Sequence, residues 1–520
     1  MKTQPINTPT PSPELDLPDR DKSAASTSLS QKASIIVFSR TVTIATQMLS
    51  IMILTRVLSK ENFGLLSFLL MGYSTVVTLA QLGLPESIFY FFERVPATAR
   101  KSLALLTGKA LLFTGLGASV ILIAMNFLAP VWGFEVNGLF LPFILMAFLD
   151  LPTYVLPNLL LAIHRAKDSA WFNVIVGVLQ FTATVVPALL GQPLSVFVAA
   201  LVGYSVLRFS LSAFLFLRHF RGPIEPLPKG MLREQFHYSI PLGISQILWG
   251  LNRQIDKYVV AAFLPVAVYS EYVVGSWEIP LLPAIAYSVA SVMMPQMVSF
   301  HLKGQKAELL RLWNKSIEKV SIIVLPLVML FILAAEEFIA VFFSENYLAA
   351  VVPFRIYTVV ILHRVAAYSA ILKAIGKTKV ISLSAVYLLI INLALGIPMV
   401  KWLGLAGPPL ANLLGNVFTW IYALVKIRQS LNVSVSEIFP FRFYLKSLLS
   451  ASVAAAPIFL LKGLVPISAP LKLVTLAIAY LIAYAIVSQI TGAVKKEDWV
   501  YLARAIGMSS RHRNDKSQVE

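Results

Sequence analysis

A chain of 520 residues that is 58% hydrophobic and only 13% charged stands apart from an ordinary soluble domain, at roughly 45–50% and about 25%. That pairing argues against a soluble globular enzyme, and the length counts membrane spans rather than domains. The net charge of +18 would suggest nucleic acid in a soluble protein, but the bases sit mostly in short loops between apolar runs. They report membrane orientation instead, and no nucleic-acid partner is expected. The absence of cysteine excludes disulfides, thiolate nucleophiles, zinc–thiolate sites and iron–sulfur clusters.

In chain order, residues 1–32 are rich in Pro, Ser, Thr and Asp without an apolar run, which predicts a disordered tail. The first apolar run starts at Ala33 and continues too far to be the core of a cleavable signal. Fourteen membrane helices are predicted, at 33–57, 63–84, 103–129, 139–162, 170–190, 195–217, 238–263, 270–299, 317–341, 350–372, 380–400, 405–425, 443–461 and 471–491. With the amino terminus inside, the inward segments hold about thirty bases and the outward loops about five. Both termini are therefore expected in the cytoplasm, with 493–520 as a second tail. The fold class is all-α and polytopic.

An internal repeat appears at a spacing of 212 residues: Ala162-Ile163-His164-Arg165-Ala166-Lys167 matches Ala374-Ile375-Gly376-Lys377-Thr378-Lys379. Each copy precedes an apolar span with a proline near its far end, Pro187 and Pro398. Six spans separate the copies, so both halves face the same way about an axis along the membrane normal. The expected division is an N-lobe at 33–220 (helices 1–6), a C-lobe at 221–430 (helices 7–12) and two extra helices at 431–492. The lobes are expected to frame a substrate cavity.

A charge at the bilayer centre costs about 2.5–3.5 kcal/mol even on the lenient insertion scale, so intramembrane bases should face other helices or water. Lys109 and Lys319 lie near span ends and read as snorkelling. In the seventh span Arg253, Asp256 and Lys257 are spaced three and four apart and share one face of a continuous helix. An Arg253–Asp256 pair would leave Lys257 as net positive charge. In the first span Arg40, Thr43 and Gln47 form a polar stripe. Arg40, Arg253, Lys257 and Gln47 are the candidates to line the cavity and bind an anion; Arg208, Arg355 and Arg364 are secondary. The intramembrane acids Asp150, Asp256 and Glu278 are candidate counter-ions, or carriers of a coupling proton or sodium ion. The surplus of bases favours an anionic substrate, since Arg presents a planar donor fork suited to phosphate.

Enzyme signals fail. Gly376-Lys377-Thr378 resembles the end of a phosphate-binding loop, but Ile371 stands where that motif needs glycine. The six His show no metal-ligand spacing, and no loop is large enough for a catalytic domain. No enzyme activity, metal or cofactor is expected beyond an ion gradient.

The stretch Thr55–Phe92, TRVLSKENFGLLSFLLMGYSTVVTLAQLGLPESIFYFF, resembles the first hairpin of the polysaccharide transport family, whose members carry lipid-linked oligosaccharides across the bacterial inner membrane. Asp256-Lys257 followed by YVVAAFLPVAVYSEY resembles that family's seventh-to-eighth span junction. LKAIGKTK with Asn392, Pro398 and GLAGPPLANLLG resembles its tenth-to-twelfth region. The wider superfamily includes multidrug exporters and peptidoglycan lipid carriers, which are the alternative functions. The resemblance implies two six-helix lobes in a V around a cavity lined largely by spans one, two, seven and eight. It implies a flippase for a polyprenyl-diphosphate-linked oligosaccharide of O-antigen, capsule or exopolysaccharide, working by alternating access in the inner membrane. Membrane lipid and a polysaccharide polymerase or chain-length regulator are the implied partners. The first span has Arg40 and no acid, unlike exporters that use a carboxylate there; this favours an anionic substrate over a cationic drug.

Overall fold

The computed structural model describes residues 19–279, 281–464 and 467–494. Helix dominates and no strand occurs among the described residues, as expected where the solvent cannot satisfy backbone polar groups. The first half comprises α1 (Asp19–Val57), α2 (Lys60–Gln81), α3 (Leu84–Phe91), α4 (Arg100–Leu128), α5 (Pro142–Thr153), α6 (Val155–Ala162), α7 (Ala166–Leu189) and α8 (Leu194–His219). The second comprises α9 (Met231–Asn252), α10 (Ile255–Phe263), α11 (Val266–Gly275), α12 (Leu281–Leu302), α13 (Lys306–Leu333), α14 (Ala335–Phe342), α15 (Val351–Val360), α16 (Tyr368–Ala374), α17 (Thr378–Leu403) and α18 (Gly407–Leu431). A short α19 (Val435–Ile438) leads to α20 (Phe441–Leu461) and α21 (Ala469–Thr491), a pair packed on α13 and α14.

Eleven segments among the described residues are long and apolar enough to cross a membrane, and one of them, Thr378–Leu431, contains both α17 and α18. Expected spans one and seven fall outside that set: Thr41–Val57 is a shorter apolar stretch, and α9 carries Arg233, Glu234, Gln235 and His237 in its first two turns. The helix α1 starts at Asp19, so 19–32 of the expected disordered tail are helical. The stretch after Pro18 lacks further proline or glycine and includes Ala, Lys and Gln, which favour helix. Residues 1–18 and most of 493–520 lie outside the described residues.

The repeat is a structural one. Ala162 and Ala374 end α6 and α16, and Ala166 and Thr378 begin α7 and α17. The turns between them match bond for bond: the Arg165 amide donates to the Leu160 carbonyl and the Lys377 amide to the Leu372 carbonyl, both at 2.7 Å. Each turn passes through a left-handed residue, His164 at φ +60 and Gly376 at φ +71. That conformation costs a residue with a Cβ about 1–2 kcal/mol, so Gly376→Val is expected to lower stability by about that amount. Thermal unfolding in detergent would register it; an unchanged midpoint would count against the strain argument.

Several predicted spans are broken rather than continuous. The fourth is divided at Tyr154, the seventh at Arg253-Gln254 and the eighth between Gly275 and Leu281. The first break lies two residues after Pro152, whose missing amide interrupts the helical ladder.

Candidate functional site

The helix α2 belongs by chain order to the first half but runs along the second. At its Lys60 end, Lys60 Nζ meets Glu271 Oε1 of α11 at 2.5 Å. There Phe63 packs edge-on against Tyr347 with ring centroids 6.0 Å apart. Thr55 and Arg56, at the end of α1, donate to the Phe343 carbonyl. At the other end Gly83 and Gly243 of α9 meet backbone to backbone. A Cβ on Gly83 would lie 2.7 Å from the Ser239 carbonyl oxygen, and one on Gly243 2.8 Å from the Gly83 amide. Beside this contact the buried Gln235 amide donates to Ser87 at 2.9 Å and Thr107 at 2.8 Å. Tyr238 stacks on Tyr90 at 4.3 Å.

Between these contacts lies a cavity of about 490 Å³. Its wall is formed mostly by α1, α2, α5, α7 and α8, with Gln254, Lys257, Tyr269 and Val273 from the second half. The lining expected from spans one, two, seven and eight is thus extended by spans four to six. They supply much of the charge: among the described residues the charged lining groups are Asp150, Arg208 and Lys257, two bases against one acid.

Asp150 and Arg208 are 1% and 8% exposed. Arg208 Nη1 approaches Asp150 Oδ2 at 3.5 Å, and the same oxygen accepts the Tyr73 hydroxyl at 2.6 Å. The guanidinium lies over the Tyr154 ring, 4.3 Å from its centroid, with Tyr204 close by. Sequence reasoning missed all three tyrosines. Two carried a signal: Tyr154 follows Asp150 by four residues and Tyr204 precedes Arg208 by four, the spacing that brings side chains together on a helix.

The expected shared face of Arg253, Asp256 and Lys257 is overturned by the helix break. α9 stops at Asn252, Arg253 and Gln254 form a turn, and α10 starts at Ile255, so helical spacing no longer applies. Lys257 lines the main cavity and donates to the Arg253 carbonyl at 2.9 Å. Arg253 lines a neighbouring niche of about 170 Å³ with Ser74, Thr75 and Thr78 of α2. Asp256 turns into the second half, where it accepts the Tyr272 hydroxyl at 3.0 Å and the Tyr357 hydroxyl. The two phenols are 2.8 Å apart. No ion pair to Arg253 forms.

Gln47 lines the main cavity. Arg40 lies on α1, but its side chain is outside the described residues. Glu278, at the break between α11 and α12, pairs with Arg364 at 2.8 Å. Arg355 is away from the cavity: it bonds Glu336 at 3.0 Å and the Ile332 carbonyl at 3.1 Å. Lys462 joins Glu336 at 3.0 Å and Lys472 joins Glu337 at 3.5 Å, which ties α20 and α21 to α14. Burial acts to raise the Glu336 carboxyl, but Lys462 and Arg355 outweigh it and hold it below its ordinary range. A lowered carboxyl stabilises the fold above its unfolded value and stops doing so as pH falls through its folded value. On acidification below the ordinary glutamate range, Glu336→Gln is expected to lose less thermal stability than the parent protein. Parallel melting curves across that window would contradict this.

A helical fold of two halves around a largely apolar cavity with Asp150, Arg208 and Lys257 set into its wall is the fold of membrane flippases and transporters. The solved structure of the lipid II flippase MurJ, in an inward closed conformation, matches with a TM-score of 0.71 at 13% identity, over 92% of this chain and 99% of that one. A multidrug resistance MATE family transporter in an inward-facing conformation matches with a TM-score of 0.60 at 16% identity, over 75% and 94%. A transporter of the same superfamily from Pyrococcus furiosus, described as having a binding pocket of reverse polarity, matches at 0.54 and 15% identity, over 78% and 95%. The family described as polysaccharide biosynthesis protein matches residues 53–352, more than half of the sequence, and the chain belongs to that family. No curated protein matches it in sequence.

Proposed function

We propose that the protein is a flippase, not an enzyme, that carries a polyprenyl-diphosphate-linked oligosaccharide across the bacterial inner membrane during synthesis of a surface polysaccharide such as O-antigen, capsule or exopolysaccharide. The observation that carries this reading is the cavity between the halves, where, among the described residues, Arg208 and Lys257 face one carboxylate, that of Asp150. A cavity of this size encloses a drug-sized group, enough for a diphosphate and its first sugar, so a full oligosaccharide requires the halves to part. Parting first at one end of α2 and then at the other is alternating access. The distribution of bases along the sequence supports an outward Lys60 end and cytoplasmic termini. Asp256, a buried acid without a basic partner among the described residues, is the group we assign to a coupling proton or sodium ion. The glycan then passes to a polymerase or chain-length regulator, with membrane lipid holding the prenyl tail.

The test is the sidedness of polyprenyl-linked glycans in cells lacking the protein, with the wild type or Lys257→Gln returned on a plasmid. One completed oligosaccharide should accumulate on the cytoplasmic leaflet, wild type should clear it, and Lys257→Gln should clear it at least about tenfold more slowly, the effect of losing a buried charge–phosphate contact. An unchanged glycolipid profile with altered drug sensitivity would make the protein an exporter. Loss of viability with accumulated peptidoglycan precursor would make it a peptidoglycan lipid carrier.

A further inference from the structure

We infer that Arg208 is the seat of the substrate's diphosphate and that Asp150 is its resident counter-ion, holding the guanidinium between transport events and yielding it when the anion arrives. The inference rests on the proposal that the substrate is an anionic lipid-linked glycan.

The geometry points to a pair built to separate. An Arg–carboxylate pair that serves only to neutralise two buried charges is stabilised by two parallel N–H···O bonds at about 2.7–2.9 Å. Here a single approach of 3.5 Å joins them. Arg208 Nε and Asp150 Oδ1 are both buried without a hydrogen-bond partner among the described residues. Unmet bonds on buried charged groups are costly, and a phosphate oxygen within reach of Nε would supply what the guanidinium lacks. Both residues line the cavity.

The surroundings provide for the separated state. When Arg208 turns to an anion, Asp150 retains the Tyr73 hydroxyl at 2.6 Å, so it is not left without a donor. Arg208 keeps the Tyr154 ring face as a rest for its cation. Lys257 reaches the same cavity from the second half. A diphosphate between Arg208 and Lys257 is therefore held by both halves at once, and Tyr73 places the exchange on α2, the helix whose two ends contact the second half. Asp150 sets the affinity: it excludes weak anions and eases release after transport.

The test measures binding of farnesyl diphosphate to the full-length protein in nanodiscs. Asp150→Asn, which keeps the shape and can still accept from Tyr73, should bind at least about tenfold more tightly than wild type, because the competing charge is gone. Arg208→Gln should bind at least about tenfold more weakly, and the double variant should resemble Arg208→Gln. Tyr73→Phe removes the donor that occupies Asp150, so the carboxylate should compete harder and binding should weaken about two- to fivefold. Wild-type affinity in a stably folded Asp150→Asn protein would overturn the counter-ion role. If that variant fails to fold, unchanged binding by Tyr73→Phe would do so. If no form of the protein binds the diphosphate, the anionic-substrate reading falls with the inference.

Discussion

Replacing Gly243 with leucine is expected to abolish transport and to leave the two halves apart at the Gly83 end of α2. The contact there is between backbones: Gly243 sits against the Leu82 carbonyl and the Gly83 amide, groups that cannot move aside as a flexible side chain can. Overpacking of this kind costs about 1–3 kcal/mol where neighbours can adjust. Against backbone the cheaper response is for α9 to withdraw from α3. The Gln235 bonds to Ser87 and Thr107 and the Tyr90–Tyr238 stack would then be lost together. The protein has no cysteine, so spin labels can be placed at will. Labels at the exposed Arg94 and Arg233 positions should report a longer distance in Gly243→Leu than in the parent. An unchanged distance with normal transport would remove this contact from the cycle.

The second large effect is expected at Asp256. Asp256 is 5% exposed and accepts two phenol hydroxyls; among the described residues it has no basic partner and Oδ1 has no hydrogen-bond partner. A buried carboxylate without a cation is several kcal/mol less favourable than a paired one, and a bound proton or metal cation removes that penalty. Asp256→Asn keeps the size and an acceptor, and Tyr272 and Tyr357 still have each other at 2.8 Å, so the fold should survive. Gradient-driven flipping of a labelled lipid-linked oligosaccharide in proteoliposomes is expected to fall more than about tenfold, the scale of losing one ionisable group's drive. Movement without a gradient should persist. A variant that responds to imposed proton and sodium gradients as the wild type does would assign coupling elsewhere.

The membrane helices were legible because a long apolar run has few other uses, and the repeat because a six-residue match marked a turn with a specific backbone demand at Gly376. The breaks inside spans were harder to read. Hydropathy over a window does not register whether each amide reaches the carbonyl four residues back, so the turn at Arg253-Gln254 passed as helix and its three charges were placed on one face. In hindsight the run Asn252-Arg253-Gln254 is the cue, three polar residues in a row where a span should be driest. Lys257 and Gln47 were marked for the cavity and line it. The Asp150–Arg208 pair joins residues 58 positions apart on different helices, and no periodicity within either helix connects them. Arg355 carried the same apparent weight as Arg208 in the sequence, yet it bonds Glu336 at the edge of a helix pair, because position within a span does not say which neighbour a side chain faces.

The two ends of α2 are fastened by different forces, and that gives an experimenter separate control of each. Lys60–Glu271 is an ion pair, and Lys60 is about one-third exposed, so dissolved salt weakens it. Gly83 against Gly243 holds by close packing, with the uncharged Gln235 bonds and the Tyr90–Tyr238 stack beside it, which salt leaves nearly untouched while high pressure favours whichever state has the smaller voids. Ionic strength should therefore tip the protein toward opening at the Lys60 end, and pressure should act on the other fastening. A population that salt and pressure shift along separate coordinates would behave as a two-latch device with independent keys.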